Sequence, residues 1–556
     1  MTKMKKTGVL ATLLLLGGTA CADLDVVNPN DPEAERALAT AENVLGLIGG
    51  TFRQWYIGGT DYAGGSFHQS VISFQTSAPW NNAGMVPLGW LPRPELVNDA
   101  ADQWYPNQTY AWYQAYKAIA PASDGLRAIL TNDDLRADLD ADTLRAMAFS
   151  RFVQGLGYAY LAVSFDQAFI VDETSDLQAP QELRPYGEVM TAALGYLDQA
   201  LALAEAESFT IPASWMSVEV SSDELIRLIH GYKARYRAAV ARTPTERAAV
   251  NWDLVWADAD AGVTADWLVD VVWADWNCDS WCNLMWNYFA YSAWQQLTYF
   301  ILGMADQSGN YQAWLDIPIL NRLPAVAAGG PLDVLIITPD LRFVQGNTWE
   351  EQEADCPYDP GSDTYCLNRD PFTALWAMPG EGYAVLEQWA KPERQTWRWS
   401  NYFSTEPWNI YGGDIVEMSV DEMNMLKAEA HYWNGELAEA ANLINLTRVP
   451  AGLNATDAAG LNTSCVPKLP NETCGDLYEM LKWEWRLEVW GRGLHDNPWY
   501  FNGRGWGDLY KGTWLHYPVP CGEFQVLQIT PCYTFGSSSD TENSSQGSIY
   551  AWPFEE

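Results

Sequence analysis

The segment 419–448 most constrains the fold, because it encodes two helices joined by a tight turn. Ser419 followed three residues later by Glu422 is a capping box, which predicts that a helix begins there. Apolar residues recur every three or four positions on both sides of Asn434-Gly435, and glycine tolerates the left-handed backbone that ends a helix. Two such helices cannot bury both faces alone. The segment therefore predicts a stack of similar helical hairpins.

The same period of three to four residues predicts further helices along the chain. They span 33–56, 110–130, 142–163, 186–205, 222–241, 251–263 and 477–494. With the hairpin at 419–448 they make roughly four helical pairs. The predicted fold class is mainly α, a tetratricopeptide-like helical-repeat scaffold with long irregular, aromatic-rich loops and little strand. The one strand candidate in this reading is 334–337.

Composition narrows the class of partner. The formal net charge is −39, so the phosphates of a nucleic acid and the anionic lipids of a membrane surface would both repel the chain. Tryptophans outnumber phenylalanines, 29 to 17. Because the indole N–H needs a hydrogen-bond partner, this excess favours half-exposed aromatic surfaces over a tryptophan-filled core.

The first twenty residues have the features of an export signal. Three lysines precede an apolar run of eight residues, and small residues lead to Cys21. This order resembles a bacterial lipoprotein signal, with Cys21 as the diacylated (palmitate-type) mature N-terminus and 21–32 as an acidic tether. Ordinary secretion with a spare thiol is the alternative. No later segment has the length and apolarity of a transmembrane helix.

The other eight cysteines lie as near neighbours in sequence. They are Cys278 and Cys282, Cys356 and Cys366, Cys465 and Cys474, and Cys521 and Cys532. An even set after one special cysteine indicates a disulfide framework formed in an oxidising compartment. Pairing of neighbours is a hypothesis, since eight cysteines allow 105 connectivities.

Two irregular segments are the candidates for ligand binding. The loop 61–106 and the insertion 266–411 are rich in tryptophan, and asparagine and aspartate are interleaved with the aromatic residues in 267–294. Aromatic faces stack on the C–H faces of sugars and on peptide side chains, while amides and carboxylates bind hydroxyls. The candidate ligand residues are Trp80, Asn81, Trp90, Trp276, Asn277, Asp279, Trp281 and Trp286. Alternatively, some of these tryptophans pack as core beneath a loop.

Motifs for other chemistry are weak or missing. The acidic loop 356–370 could hold calcium through Asp359, Asp363 and Asp370, but it lacks the regular ligand spacing of a calcium loop, so no cofactor is expected. The sequence has no H-E-x-x-H pair, nucleophile elbow or phosphate-binding glycine loop. Glu429 and Arg448 lie on facing predicted helices, which indicates a structural ion pair. A glycosidase carboxylate pair stays open, because its separation is spatial.

Several motifs resemble the SusD/RagB family. The hairpin follows the pattern AEAxxxxGxxxEAxxxINxxR, from Ala428 to Arg448. Leu24, Val26, Asn28 and Pro29 resemble the mature start of family members, and Tyr517-Pro518-Val519-Pro520 with Glu523 resembles their terminal motif. Glu484, Arg486, Glu488 and Gly493 match the closing segment, whereas Val489 and Arg492 depart from it. The resemblance is specific at the two ends of the chain and weak in the middle.

The resemblance implies a surface-exposed outer-membrane lipoprotein that binds an oligomeric nutrient. It also implies a SusC-like TonB-dependent β-barrel as partner, and no enzyme activity. The interleaved tryptophan, asparagine and aspartate favour a glycan, with a peptide as the second choice. A secreted glycan hydrolase and an envelope scaffold without a small ligand are the other hypotheses. The implied organisation is a single domain, 33–556, with N-terminal repeats (33–265), the insertion (266–411) and a C-terminal hairpin and closing segment (412–556).

Overall fold

The computed structural model describes most of the chain outside the N-terminus and the insertion. The described residues are 38–61, 64–77, 84–272, 281, 283, 296–297, 299–316, 335–355, 358–359, 364–365, 412–493, 495–529 and 531–547. The export signal, the tether and Cys21 lie outside them.

Helices account for most of the described structure. Before the insertion they are Ala41–Gly49 (α1), Thr51–Thr60 (α2), Gly65–Ile72 (α3), Met85–Leu88 (α4), Tyr105–Thr131 (α5), Asp133–Leu139 (α6), Asp142–Ser164 (α7), Tyr186–Ala206 (α8), Ala213–Met216 (α9), Ser222–Ala239 (α10), Pro244–Ala248 (α11) and Trp252–Asp260 (α12). Within 266–411 they are Tyr299–Ala305 (α13), Asn310–Leu315 (α14) and Trp349–Asp355 (α15). The last group is Val420–Trp433 (α16), Leu437–Arg448 (α17), Leu477–Val489 (α18), Pro498–Trp506 (α19) and Cys521–Val526 (α20).

Strands are short and pair two by two. They are Thr76–Ser77 (β1), Gln167–Phe169 (β2), Leu183–Pro185 (β3), Thr210–Ile211 (β4), Val220–Ser221 (β5), Trp267–Val272 (β6), Gln296–Leu297 (β7), Tyr358–Asp359 (β8), Thr364–Tyr365 (β9) and Gly412–Met418 (β10). The antiparallel pairs are β1–β7, β2–β3, β4–β5, β6–β10 and β8–β9. Helices therefore supply most of the core, and strands such as β6 and β10 add buried side chains to it.

The helices stack in one continuous order. α5 packs on α7, α7 on α8, α8 on α10 and α10 on α12, and α16 then packs on α12 although the insertion lies between them in sequence. α17 and α18 both pack against α16. This is the helical-repeat scaffold that the hairpin pattern predicts, and we refer to it as the helical body.

The hairpin at 419–448 folds as predicted, with one change at its first cap. The Ser419 hydroxyl accepts a hydrogen bond from the Glu422 amide (3.1 Å). The Glu422 carboxylate does not return to the cap, because both its oxygens bind the buried Arg235 guanidinium (2.7 Å each). The reciprocal capping box occurs instead at Ser221 and Glu224, where α10 begins. Asn434 ends α16 and Gly435 takes a φ of 79°, as the turn requires.

Two predicted helices have different limits. The helix expected at 33–56 is, from Ala41 onward, two helices that meet at Gly50. Paired glycines weaken a helix at this point, and a Cβ on Gly49 would stand 2.3 Å from the indole nitrogen of Trp215, so this close approach requires glycine. The helix expected at 477–494 ends at Val489.

Three other sequence predictions are wrong for the described residues. The 61–106 loop contains α3, a helix whose eight residues are all buried, so it lacks the polar face that marks an amphipathic helix. Residues 335–337 form no strand, because their backbone bonds to 306–310 instead, as in Gln307 N–H to Ile337 O (2.8 Å). Glu429 and Arg448 do not pair: Glu429 binds Arg247, whereas Arg448 lies near Glu484.

The interpretation of the tryptophan excess also needs correction. Ten of the described tryptophans are buried, and six of these expose 1% of their surface or less. Many indole N–H groups find carbonyl or carboxylate partners inside the core, as Trp483 does with Asp340 (3.1 Å) and Trp490 with Gln75 (3.2 Å). Internal acceptors replace water for these indoles. The indole N–H groups of Trp55, Trp485 and Trp514 are buried without an acceptor in the described part of the chain.

Among the described residues, every helix is too short or too polar to cross a lipid bilayer.

Candidate functional site

The two segments with candidate ligand residues meet at a strand pair. β1 belongs to the 61–106 loop and β7 to the insertion, and they pair antiparallel, with Thr76 opposite Leu297 and Ser77 opposite Gln296. The pair joins residues more than two hundred positions apart. We refer to the two segments that pair here, together with the insertion residues that pack on α2, as the loop junction.

The floor of the loop junction is aromatic and rests on α2. The Trp281 ring is half-buried and lies 5.9 Å from the Phe52 ring and 6.1 Å from the Tyr56 ring, centroid to centroid. The Asn283 amide donates a hydrogen bond to the Tyr56 hydroxyl (2.9 Å). Burial raises the pKa of Tyr56 well above its ordinary value, so this hydroxyl stays neutral. Trp281 therefore contributes to the packing of the floor.

The helical body fixes the position of that floor. The Trp55 ring packs 3.7 Å from the His495 ring, and the Gly59 amide donates to His495 Nδ1 (3.2 Å). A Cβ on Gly59 would stand 2.4 Å from the His495 carbonyl oxygen, so glycine is needed for this close contact. Burial lowers the pKa of His495 to about 4, which keeps its ring neutral at physiological pH.

A buried arginine holds the far end of the 61–106 loop. The Arg93 guanidinium donates to the Ile72 carbonyl (2.8 Å), the Leu88 carbonyl and the Thr513 hydroxyl (3.1 Å). It also lies 4.5 Å from the centroid of the Phe74 ring. Arg93 therefore ties the loop to the C-terminal segment. Close by, Trp90 presents 48% of its surface to solvent.

The insertion leaves and rejoins the body at one place. In the β6–β10 pair, Val272 stands opposite Gly412 and Val269 opposite Ile415. Val269, Val271 and Ile415 are buried against the helical body. The two ends of the insertion are therefore clamped together.

A third attachment fixes part of the insertion to α18. The Phe343 ring stacks on the Trp483 ring at 5.9 Å. The Arg342 guanidinium binds the carboxylates of Glu484 (2.7 Å) and Glu488 (2.8 Å). Burial alone would lower the pKa of Arg342, but the surrounding carboxylates raise it well above its ordinary value. These contacts attach residues 340–343 firmly to the body.

The candidate ligand residues divide into described and undescribed positions. Trp90 is exposed and Trp281 lies on the floor of the loop junction. Trp80, Asn81, Trp276, Asn277, Asp279 and Trp286 lie outside the described residues, so their roles stay predictions. Tyr56 is a residue that sequence reasoning missed. It ends the apolar run of a helix, and nothing in that pattern separates it from ordinary core.

The buried carboxylate of the hairpin, Glu429, is held in an ion pair. Glu429 is fully buried and receives hydrogen bonds from Arg247 Nε (2.8 Å), the Tyr478 hydroxyl (2.8 Å) and the Trp506 indole (3.0 Å). Burial raises the pKa of Glu429, but these partners outweigh it and hold the pKa below the ordinary value. Glu429 is therefore a structural carboxylate.

The described residues also test the predicted disulfides and metal sites. Cys465–Cys474 and Cys521–Cys532 are bonded, which confirms two of the four predicted pairs. The pairs Cys278–Cys282 and Cys356–Cys366 lie outside the described residues. In the described part of the chain, no group of three or more His, Cys, Asp or Glu side chains is arranged to hold a metal ion. The calcium hypothesis stays a prediction, because Asp363 and Asp370 lie outside the described residues and only the backbone of Asp359 is described.

Comparison with solved structures identifies the fold. The chain is similar to a SusD-like protein from Bacteroides fragilis NCTC 9343, with a TM-score of 0.50 and 12% identity over 93% of this chain and 94% of that one. A laminarin-binding SusD-like protein matches with a TM-score of 0.46 and 13% identity, covering 88% and 98% of the two chains. A SusD superfamily protein from Bacteroides vulgatus ATCC 8482 has a TM-score of 0.47 and 12% identity, covering 84% and 89%.

Sequence comparison gives no counterpart to these structural matches. No protein-family model matches the chain, and no curated protein sequence matches it significantly. The chain thus has the fold of a SusD-like protein at a sequence identity that by itself transfers no function.

Proposed function

We propose that the chain is a SusD-like outer-membrane lipoprotein that binds an oligomeric nutrient and delivers it to a TonB-dependent transporter. The shared fold, the family-like motifs at both ends of the sequence and the lipoprotein-like pattern ending at Cys21 support this proposal. The lipid on Cys21 would anchor the protein, which would face the cell exterior. Its partner would be a SusC-like β-barrel.

The loop junction is the observation that carries the binding proposal. The β1–β7 pair brings together two segments that sequence reasoning singled out separately. The insertion also packs an aromatic floor on α2, and Arg93, the β6–β10 pair and Arg342 attach both segments to the rest of the protein. A site whose supports are already ordered loses less conformational entropy when ligand binds.

A glycan is the ligand class that this chemistry favours. Trp90 offers an exposed ring for stacking on a sugar face. Asp275, Asn277, Asp279 and Asn287 lie close together in the sequence of the insertion, and amide and carboxylate groups of this kind bind hydroxyls. Asn283 is already bonded to Tyr56 and is buried. A peptide would use the same rings but would need fewer closely spaced polar groups.

Binding without turnover is part of the proposal. Glu429, the most tempting carboxylate in the family-like hairpin, is buried in an ion pair and out of reach of a substrate. The protein would therefore capture its ligand and pass it on unchanged.

The first test is a calorimetric titration of the purified protein with glucan, xylan and mannan oligosaccharides and with short peptides. We expect saturable binding of one glycan class. Trp90→Ala should weaken that binding about tenfold, which corresponds to about 1.4 kcal/mol. Trp256→Ala is the matched control, because Trp256 is also an exposed tryptophan (37%) but lies on α12, outside both segments.

The possible outcomes separate the hypotheses. No saturable binding, or equal effects of the two substitutions, would argue against the loop junction as the site. Saturation by peptides alone would change the ligand class, and glycan cleavage would favour the hydrolase hypothesis. Purification of the lipidated protein from its own membrane in mild detergent tests the partner, and a co-purifying TonB-dependent barrel is the expected result.

A further inference from the structure

A second surface groove lies on the side of the helical body where α5 meets α20. It has a volume of about 480 Å³, within the usual range for ligand sites. Its floor is formed by Trp112, Tyr116, Ile119 and Phe169. We refer to it as the α5 groove. It shares no lining residue with the loop junction.

The rims of the α5 groove are unusually apolar for a protein surface. Leu177 and Leu527 both line the groove and are 58% and 39% exposed. Val526 and Ile529, next to Leu527 in sequence, are exposed as well. Exposed apolar side chains that cluster around a concavity are typical of a binding surface.

The polar groups of the groove are already engaged within the protein. The Tyr116 hydroxyl donates to the Phe169 carbonyl (2.9 Å) and accepts from the Phe169 amide (2.8 Å). Arg127 binds the carbonyls of Asp172 (3.0 Å) and Glu173 (2.7 Å). A sugar entering here would give up hydrogen bonds to water and find few replacements. The walls therefore favour an apolar group.

Charge at the edge selects what may flank that apolar group. Asp124, Asp172 and Glu523 line the groove, and Arg127 is the one basic residue among the described lining residues. Arg127 is itself close to Asp124 (3.5 Å). Two carboxylates are therefore in excess, on a protein whose net charge is −39. A cationic partner is attracted, whereas the acidic segment 22–32 of this chain is repelled.

The wall formed by α20 is held in place before any partner arrives. Glu523 and Leu527 lie between Cys521 and Cys532, which are disulfide-bonded. The Gly522 amide donates to the Tyr105 hydroxyl on α5 (2.9 Å), and the Cys521 amide donates to the Asn98 side chain (3.0 Å). A wall fixed in this way favours affinity by reducing the entropy lost on binding.

We propose that the α5 groove docks a segment of a second protein in which one large apolar side chain stands between basic residues. The apolar side chain lies on the Tyr116 and Phe169 floor, and the basic groups meet the carboxylates in excess, Glu523 and Asp172. This docking is separate from nutrient binding at the loop junction, so either can fail without the other.

The test titrates a fluorescein-labelled peptide, Ala-Lys-Phe-Lys-Ala, with the full-length protein, and fluorescence anisotropy measures the binding. We expect saturable binding that weakens as salt rises. Ala-Glu-Phe-Glu-Ala and Ala-Lys-Ser-Lys-Ala should each bind at least tenfold more weakly, because the first reverses the charge and the second removes the apolar group.

Variants locate the binding. Ala120 is an exposed residue of the groove wall. Ala120→Trp should fill the groove and weaken the binding of Ala-Lys-Phe-Lys-Ala at least tenfold. Ala202→Trp, at an exposed position of α8 away from the groove, should have no effect. Glu523→Gln provides a second variant that leaves the packing intact, and it should weaken binding several-fold.

The proposal is overturned if the labelled peptide shows no saturable binding, or if Ala120→Trp and Glu523→Gln leave its affinity unchanged. It is also overturned if the two control peptides bind as tightly as the first. A glycan that competes with the peptide at the groove would likewise contradict it.

Discussion

The helical body and the loop junction use buried and exposed groups in opposite ways. In the body, charged side chains are buried and find charged partners from distant parts of the sequence, as Arg247 and Glu429 do across 182 positions. The two loop segments combine an exposed aromatic ring, Trp90, with a packed aromatic floor at Trp281. Under the proposed function, stability resides in the body and ligand contact in the junction. Substitutions in the two regions should therefore change different measurements.

The largest effect is expected from the buried ion pair of the body. Arg247→Leu leaves the Glu429 carboxylate buried without its cation, which should lower the free energy of unfolding by about 3–5 kcal/mol. Urea denaturation followed by circular dichroism measures it. Arg136→Leu, which removes an exposed pair with Asp133, is the control and should change little. Equal losses of unfolding free energy in the two variants would contradict the claim that the buried ion pair stabilises the body.

A smaller effect is expected from pH. The pKa of His495 is lowered by burial to about 4, against about 6.5 in an unfolded chain. A lowered pKa means that the unfolded chain binds the proton first, so this stabilisation is complete above pH 6.5 and is lost as pH falls towards 4. The loss from His495 amounts to about 3 kcal/mol at most.

The groups that face His495 require a difference measurement. Asp496 raises the pKa of His495 and Arg235 lowers it, and burial raises the pKa of nearby Glu417, which gives an opposite slope. The stability of the wild type and of His495→Asn should therefore be compared across pH 4–7. A flatter profile for the variant is expected, and parallel profiles would show that His495 does not titrate as described.

The smallest effect is expected from the first cap of α16. Ser419→Ala removes the hydrogen bond from the Glu422 amide and should lower the free energy of unfolding by about 1 kcal/mol. Because the cap lies in the body, ligand affinity should stay the same. Thermal unfolding with a parallel ligand titration checks both parts. A loss of ligand affinity without a loss of stability would contradict the assignment of this cap to the body alone.

The helices of the body can be predicted because the signals that define each helix lie within its own stretch of sequence. The capping serine, the Asn434-Gly435 turn and the period of apolar residues place α16 and α17 without knowledge of the rest of the chain. The fold class follows from repeating such pairs. Helix α3 escaped prediction because it is buried on all sides, and a helix of that kind carries no periodic signal.

Partners between distant residues could not be predicted in the same way. Glu429 and Arg448 were matched because they lie on adjacent helices, but each binds a residue that only the fold brings near. For the tryptophans, composition indicates an exposed role, whereas burial depends on where the fold packs each ring, with an acceptor for the indole at some positions and none at others. At the candidate site, sequence identified the two segments but could not show that β1 and β7 join them.

The β6–β10 pair has a consequence for how the chain can fold. Val272 and Gly412 are neighbours in space but about 140 residues apart in sequence, and closing a loop of that length costs on the order of 4 kcal/mol of chain entropy. The contact between α12 and α16 depends on the same closure. A chain that emerges N-terminus first therefore has an open strand edge on β6 until residue 418 is available, and any fragment that ends inside the insertion keeps that aggregation-prone edge.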